Sequence, residues 1–257
     1  MSDTRGALVL VANTLDFGTG DPETWPDIQD TLPLGLIRTA ARLQHWVAEN
    51  ARTTRVFLKR VHAVVPLAQP LQSIQIVELP RAPKGAARAT PPDLRALLEP
   101  LLAGHDMGLI SEAGLPAVAD PGAALVQAAH DAGLRVVTLA GPSSLSLALA
   151  ASGLNGQSFA FVGYLPVEGP ARVARIRELE DLSRKLGQTQ LAIETPYRNT
   201  ALLDALLATL RPGCRLSVSC GLTLPSAWTR SDTVARWRSS PSKLPNDVPS
   251  VFALLAS

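Results

Sequence analysis

The feature that constrains this chain most is the run from Met107 to Ser144, MGLISEAGLPAVADPGAALVQAAHDAGLRVVTLAGPSS. An apolar run of strand length, residues 106–111, leads into a loop punctuated by Gly and Pro. A helix-like stretch follows and stops at Gly133. Residues 134–139, LRVVTL, repeat the strand signature, and Gly141-Pro142 opens a second loop before LSLALAASG. Strand, helix, strand and helix on short links imply a parallel sheet with right-handed crossovers. Ligands gather at the carboxyl ends of such strands, so the two loops are the first candidates for a site. Asp120 is expected to cap the first helix, with Pro121 in its first position and the helix running to Ala132. Ser143 or Ser144 is expected to cap the second.

The flanks extend this pattern. Strands are expected at 7–12 and 44–48, and helices at 33–43, with Leu36, Ala40 and Leu43 on one face, and at 51–62, closed by Pro66 and Pro70. Residues 13–26 read as a polar loop and 80–92 as a mobile surface loop; a helix opens at Pro92-Asp93 and runs to Leu102, before Gly104. Beyond Gly153, strands are expected at 158–163, 189–194, 214–220 and 249–255. Helices are expected at 169–186, with Val173, Ile176, Leu179 and Leu186 on one face, and at 198–210. A boundary near Gly141-Pro142 divides the chain into domains 1–141 and 142–257.

Composition narrows the function classes. At 257 residues, 46% hydrophobic and 18% charged, the chain is globular rather than disordered. Aromatic residues at 4% weigh against a stacking platform for single-stranded nucleic acid, and a net charge of +2 does not by itself announce a nucleic-acid binder. Residues 136–167 carry no charge, but Gly141-Pro142, Gly153, Asn155-Gly156 and Gly163 break that run into strand and helix lengths, so no membrane span is expected. Residues 6–12 read as a first buried strand rather than a signal peptide, and a cytoplasmic location is expected. Cys214 and Cys220 bound one strand-like run and lie about 20 Å apart at ~3.3 Å per residue, beyond disulfide reach. Four scattered histidines and two cysteines match no metal-ligand spacing, so no metal is expected.

The usual nucleotide and hydrolase fingerprints are missing: no G-x-G-x-x-G after a strand, no G-x-x-x-x-G-K-[ST], no G-x-S-x-G. What stands in the first loop is Ser111-Glu112-Ala113-Gly114-Leu115-Pro116-Ala117-Val118-Ala119-Asp120-Pro121-Gly122. Small residues there let the backbone approach a ligand closely.

That run resembles the S-D-A-G-T-P-x-x-S-D-P-G signature of the ribosomal RNA small-subunit methyltransferase I family, within the tetrapyrrole-methylase superfamily. Gly141-Pro142-Ser143-Ser144 resembles the family's P-G-P-S-A turn. Ala151–Leu154, Gly163–Pro166 and Glu194-Thr195-Pro196-Tyr197-Arg198 resemble S-A-S-G-L, G-F-L-P and E-S-P-H-R, and Glu49–Arg55 resembles A-E-D-T-R-x-T-R. Three segments depart from the family pattern. The opening A-T-P-I-G-N-L-x-D is shortened to Ala12-Asn13-Thr14-Leu15-Asp16, the Asp of E-D-T-R is Asn50, and E-L-T-K appears as Gly221-Leu222-Thr223-Leu224.

The resemblance implies two α/β domains with a cofactor cleft between them, the N-terminal sheet mainly parallel and the C-terminal sheet mixed. It implies S-adenosylmethionine as cofactor, a homodimer, and ribosomal RNA or the small ribosomal subunit as partner, with ribose 2′-O-methylation as the activity. The cofactor contacts it carries over are Asn13, Thr14, Leu15, Ser111, Glu112, Ala113, Gly114, Leu115, Pro116, Asp120, Pro142, Ser143, Ser144, Glu194, Thr195 and Pro196. Glu49, Glu112 and Glu194 each fall at a strand end and are the candidates for a general base. Arg52, Arg55 and Lys59 recur at i, i+3 and i+7 with Arg60 beside them, and form a candidate RNA-facing patch. A catalytically reduced homologue that binds cofactor or RNA without turnover, and a small-molecule or tetrapyrrole methyltransferase, are the alternatives.

Overall fold

The computed structural model describes residues 5–16, 25–80, 94–240 and 242–256. The chain divides into two compact units, Met1–Pro142 and Ser143–Ser257.

The first unit holds a five-stranded, all-parallel sheet. Its strands are β1 (Ala7–Leu10), β2 (His45–Ala48), β3 (Gln75–Glu78), β4 (Met107–Ile110) and β5 (Arg135–Thr138), in the order β3-β2-β4-β1-β5. Runs such as ALVL and MGLI are buried along their whole length because both faces of the sheet are covered. Val9, Trp46 and Ile110 pack on one side with Leu36, Ile37 and Ala40 of helix α1 (Leu34–Arg42) and with Phe57, Leu58 and Val61 of α2 (Ala51–Val64). Leu8, Leu10 and Leu109 pack on the other with Leu101 of α3 (Glu99–Leu102) and with Leu125 and Ala129 of α4 (Ala123–Asp131). Gly108 is required by packing: a Cβ there would lie 2.5 Å from the ring of Trp46, itself buried and hydrogen-bonded to the Leu43 carbonyl.

Several expectations need correction here. Helix α4 begins at Ala123, not at Pro121, and Gly122 (φ 127°) holds the capping position instead of Asp120. The left-handed backbone of Ala119 and the conformation of Gly122 delay the helix to Ala123. The expected helix ending at Leu102 is a 3-10 turn over Arg95–Leu98 followed by α3, because Pro100 offers no N–H to an α-helical ladder. The start of that helix and most of the expected loop at 80–92 lie outside the described residues. Strand β3 was not anticipated: QIVE is short, mostly solvent-facing and lies at the sheet's edge.

The second unit holds a mixed sheet. Its strands are β6 (Phe159–Tyr164), β7 (Thr189–Glu194), β8 (Arg215–Cys220), β9 (Trp228–Thr233) and β10 (Ser250–Leu255), in the order β6-β7-β10-β8-β9. Only β6 and β7 run parallel; the other pairs are antiparallel. Helices α6 (Gly169–Leu186), α7 (Asn199–Thr209) and α8 (Val234–Ser239) cover one face, with Trp237 fully buried among them. Helix α5 (Ser144–Ser152) lies on the other face through Ala148 and Leu149. The buried stripe of α6 is Ile176, Leu179, Glu180 and Ser183, whereas Leu186, expected to face the core, is exposed. The Glu180 carboxylate is tolerated there because it accepts the Arg211 amide at 2.8 Å. Strand β9 and helix α8 were not anticipated, since WTRSDT alternates too few apolar residues. Cys214 and Cys220 are free and buried.

Candidate functional site

Four of the segments singled out in the sequence meet at the strand ends of the first unit. The loop after β4 is fastened to the loop after β1 by an isolated bridge between Asn13 and Gly114, with Asn13 N–H donating to the Gly114 carbonyl at 2.9 Å. The Asn13 amide also donates to the carbonyls of Ser111 (3.2 Å) and Glu112 (3.0 Å). Gly114 takes φ +66°, and a Cβ there would press within 3.2 Å of Leu15 and 3.6 Å of the Pro142 carbonyl. Asn13, Leu15, Ser111, Gly114 and Pro142 are therefore brought together. Ala117 and Ala119 both hold left-handed φ near 65°, a conformation costing about 1–2 kcal/mol for a residue with a Cβ. Such strain concentrates at ligand clamps.

Acidic side chains line this loop. Glu49, at the end of β2, accepts the Glu112 backbone N–H at 3.1 Å. Asn50 caps α2 through its side-chain oxygen and donates its amide to Glu112 Oε1 at 2.9 Å. An Asp at position 50, as in the family pattern, would set a further carboxylate against Glu112; Asn supplies a donor instead. Asp120 completes the group. Burial, then the charges of Glu49 and of Glu112, push its carboxyl from 3.8 up to about 7, opposed weakly by the Ser111 hydroxyl. Ser111 is 3% exposed, and its Oγ has no hydrogen bond of good geometry. Among the described residues, no three His, Cys, Asp or Glu side chains converge closely enough to hold a metal ion. Leu115 and Pro116 line a cavity of about 330 Å³ with Leu10, Val126 and His130. Ala113 is half-buried in the bend between Glu112 and Gly114.

Thr14 and Arg60 have a different task. Thr14 Oγ1 donates to Asp16 at 2.6 Å. The Arg60 guanidinium pairs with Asp16 at 2.9 Å, donates to the Pro26 carbonyl and lies 5.2 Å from the Trp25 ring centroid. Arg60, expected in the RNA-facing set, is thus largely buried and spent on tying α2 to the first loop. Arg52, Arg55 and Lys59 do stand exposed along one face of α2.

In the second unit Ser143 occupies the N-cap position of α5, and Ser144 its first turn, with no side-chain capping hydrogen bond. Glu194 ends β7 at 5% exposure, and its Oε1 accepts from the Thr195 N–H and from Arg198 Nε (3.0 Å) and Nη2 (2.6 Å). Four residues separate Glu194 from Arg198, and Pro196 begins the 3-10 turn that closes the distance. Glu194, expected as a general base, has its Oε1 held by the Arg198 guanidinium and the Thr195 N–H.

A family model for tetrapyrrole (corrin/porphyrin) methylases matches residues 34–228. The chain belongs to this family. It is 39% identical over 116 residues to ribosomal RNA small subunit methyltransferase I of Vibrio cholerae, a match covering 45% of this chain and 39% of the relative. The same-named protein of Mesorhizobium japonicum is 36% identical over 138 residues, 54% of this chain and 46% of the relative. That of Halalkalibacterium halodurans is 28% identical over 208 residues, 81% of this chain and 62% of the relative. The first two matches thus span less than half the length of those relatives. Among solved structures, uroporphyrin-III-C-methyltransferase from Thermus thermophilus matches with a TM-score of 0.51 at 19% identity, over 98% of this chain and 94% of that one. That likeness establishes the fold, one all-parallel and one mixed α/β sheet. Among the described residues, no helix is long and apolar enough to cross a membrane.

Sequence reasoning missed Asp120 as a titrating group. The signal was present: a second acid eight residues after Glu112 on one turn-rich loop. Its burial beside two other acids was not readable.

Proposed function

We propose that this chain is a cytoplasmic, homodimeric methyltransferase that uses S-adenosylmethionine to methylate ribosomal RNA, at a ribose 2′-hydroxyl. The observation that carries the reading is the Ser111–Gly122 loop. It is strained at Ala117 and Ala119, strapped to Asn13, and presents a buried Ser111 hydroxyl without a well-formed partner beside three carboxyl groups. These residues fit the donor. Exposed loop amides and carbonyls suit an adenine edge, and the acids suit a cationic sulfonium and amino group. Asn13, Leu15, Ser111–Pro116 and Pro142 are the assigned contacts in the first unit; Ser143, Ser144, Thr195 and Pro196 are those in the second. Family membership and the ribosomal RNA methyltransferases among the relatives support the same reading. Buried, unpaired thiols suit a reducing compartment.

Bound S-adenosylmethionine would supply an activated methyl group on positively charged sulfur. Glu112 takes the proton of the attacking hydroxyl. Its Oε1 is fixed by Asn50, and among the described residues no hydrogen bond reaches its Oε2. Glu49 orients the Glu112 backbone, and the Asp120 carboxyl beside them, raised to about 7, is half-protonated near neutral pH. Orientation by the strapped loop supplies most of the remaining rate enhancement.

A reading in which the chain binds donor or RNA without turnover draws support from Gly221–Leu224, which lacks the acid and lysine of the family pattern. Transfer of tritium-labelled methyl to small ribosomal subunits from a strain lacking this protein separates the two. Label in the RNA is the expected result. Donor binding by calorimetry without transfer would favour the binding-only reading.

A further inference from the structure

The chain has two tyrosines, and both stand exposed at one end of the second unit: Tyr164 at 54% and Tyr197 at 75%. Tyr164 is the last residue of β6 and Tyr197 follows the end of β7, adjacent parallel strands, where α/β sheets place their ligands.

The register explains how Tyr164 comes to stand there. Phe161 pairs with Leu191, but Tyr164, rather than Gly163, pairs with Ile193. One extra residue has entered β6, with Gly163 at φ +73° absorbing the bulge. A one-residue shift exchanges the two faces of a strand. Phe161, Leu191 and Ile193 belong to the face that carries α5, so the bulge turns Tyr164 onto that face and away from α6 and α7. A Cβ at Gly163 would meet nothing within 4 Å, so the glycine serves backbone conformation rather than space.

Both tyrosines rest on fixed backbone. Arg172 donates to the Pro166 carbonyl at 2.9 Å and to that of Ala201, stapling the loop after β6 to α7. The turn carrying Tyr197 is pinned by the Glu194–Arg198 pair, and the Arg198 guanidinium lies 5.7 Å from the Tyr197 ring centroid. The second unit carries twelve Lys and Arg against eight Asp and Glu, a net +4, whereas the first carries twelve against fourteen, a net −2. Rigid aromatic faces, a cation beside one of them and a net positive unit suit unpaired nucleobases on a polyanionic strand.

We propose that Tyr164 and Tyr197 form a stacking site for unpaired bases of the RNA acceptor. The low aromatic content is no obstacle, because placement decides stacking and two rings suffice for two bases. The proposal rests on the RNA methyltransferase reading and names what that site recognises: single-stranded RNA bases splayed from a helix.

The test uses the full chain saturated with S-adenosylmethionine and a fluorescein-labelled single-stranded oligocytidylate, with anisotropy as the readout. Tyr197→Ala and Tyr164→Ala should each weaken RNA binding roughly 5- to 50-fold, while Tyr→Phe at either position keeps it near wild type, since stacking needs the ring and not the hydroxyl. Calorimetry should give the same donor affinity for all variants. Ala variants that bind like wild type, Phe variants as weak as Ala, or a wild-type protein that takes the donor but no RNA would each overturn the stacking site. Failure of the wild type to bind the donor would instead overturn the methyltransferase reading beneath it.

Discussion

Two acidic turns at strand ends, one in each unit, look alike in sequence and behave differently in the structure. Around Glu112, carboxyl groups gather with an amide donor, and burial together with the neighbouring charges holds a proton on Asp120 up to about pH 7. Around Glu194, one buried carboxylate is neutralised by one arginine and a backbone amide. Among the described residues, the first arrangement leaves buried acid without a cation and is costly for folding; the second pairs its charge. Environment, more than residue type, decides which acid can do chemistry.

The largest stability effect should come from breaking the second turn. Arg198→Ala leaves Glu194 buried without its partner and should cost about 2–3 kcal/mol, discounted for the partial exposure of the arginine. Urea denaturation would register it as a lower midpoint at unchanged slope. A loss indistinguishable from zero would mean that Glu194 is not committed to that pair.

A smaller effect of opposite sign is expected in the first turn. The folded state holds the Asp120 proton more tightly than the unfolded chain, so the stability this group contributes is complete below about pH 4. It is lost as pH rises to about 7. Above that, a charged Asp120 faces Glu49 and Glu112. Asp120→Asn should therefore raise the melting temperature at pH 8 by ~2–4 °C and change little at pH 4. Destabilisation at pH 8 would show that its carboxylate makes a favourable contact instead.

This contrast marks what the sequence could disclose. The alternating strand and helix pattern of the first unit was legible because both faces of its sheet are covered, so β1 and β4 read as plain apolar runs. β3 and β9 were not, because edge strands bury too little for periodicity to speak. The loop after β4 was legible as a turn-rich strand-to-helix connection from its Gly and Pro residues. The helix start was misread because Ala119 and Gly122 adopt a backbone that only the assembled loop, strapped to Asn13, imposes. The ion pairs of Arg60 with Asp16, across 44 residues, and of Glu194 with Arg198, across one turn, were not legible, because these groups become partners only on folding.

The most direct test of the account is single-turnover methyl transfer by Glu112→Gln and Glu194→Gln, each saturated with S-adenosylmethionine and supplied with unmethylated small subunits. At saturating donor, Glu112→Gln should slow transfer by roughly 10²–10⁴-fold, and Glu194→Gln, where folded, should transfer at close to the wild-type rate. Wild-type transfer by Glu112→Gln, with the loss appearing in Glu194→Gln, would contradict the assignment.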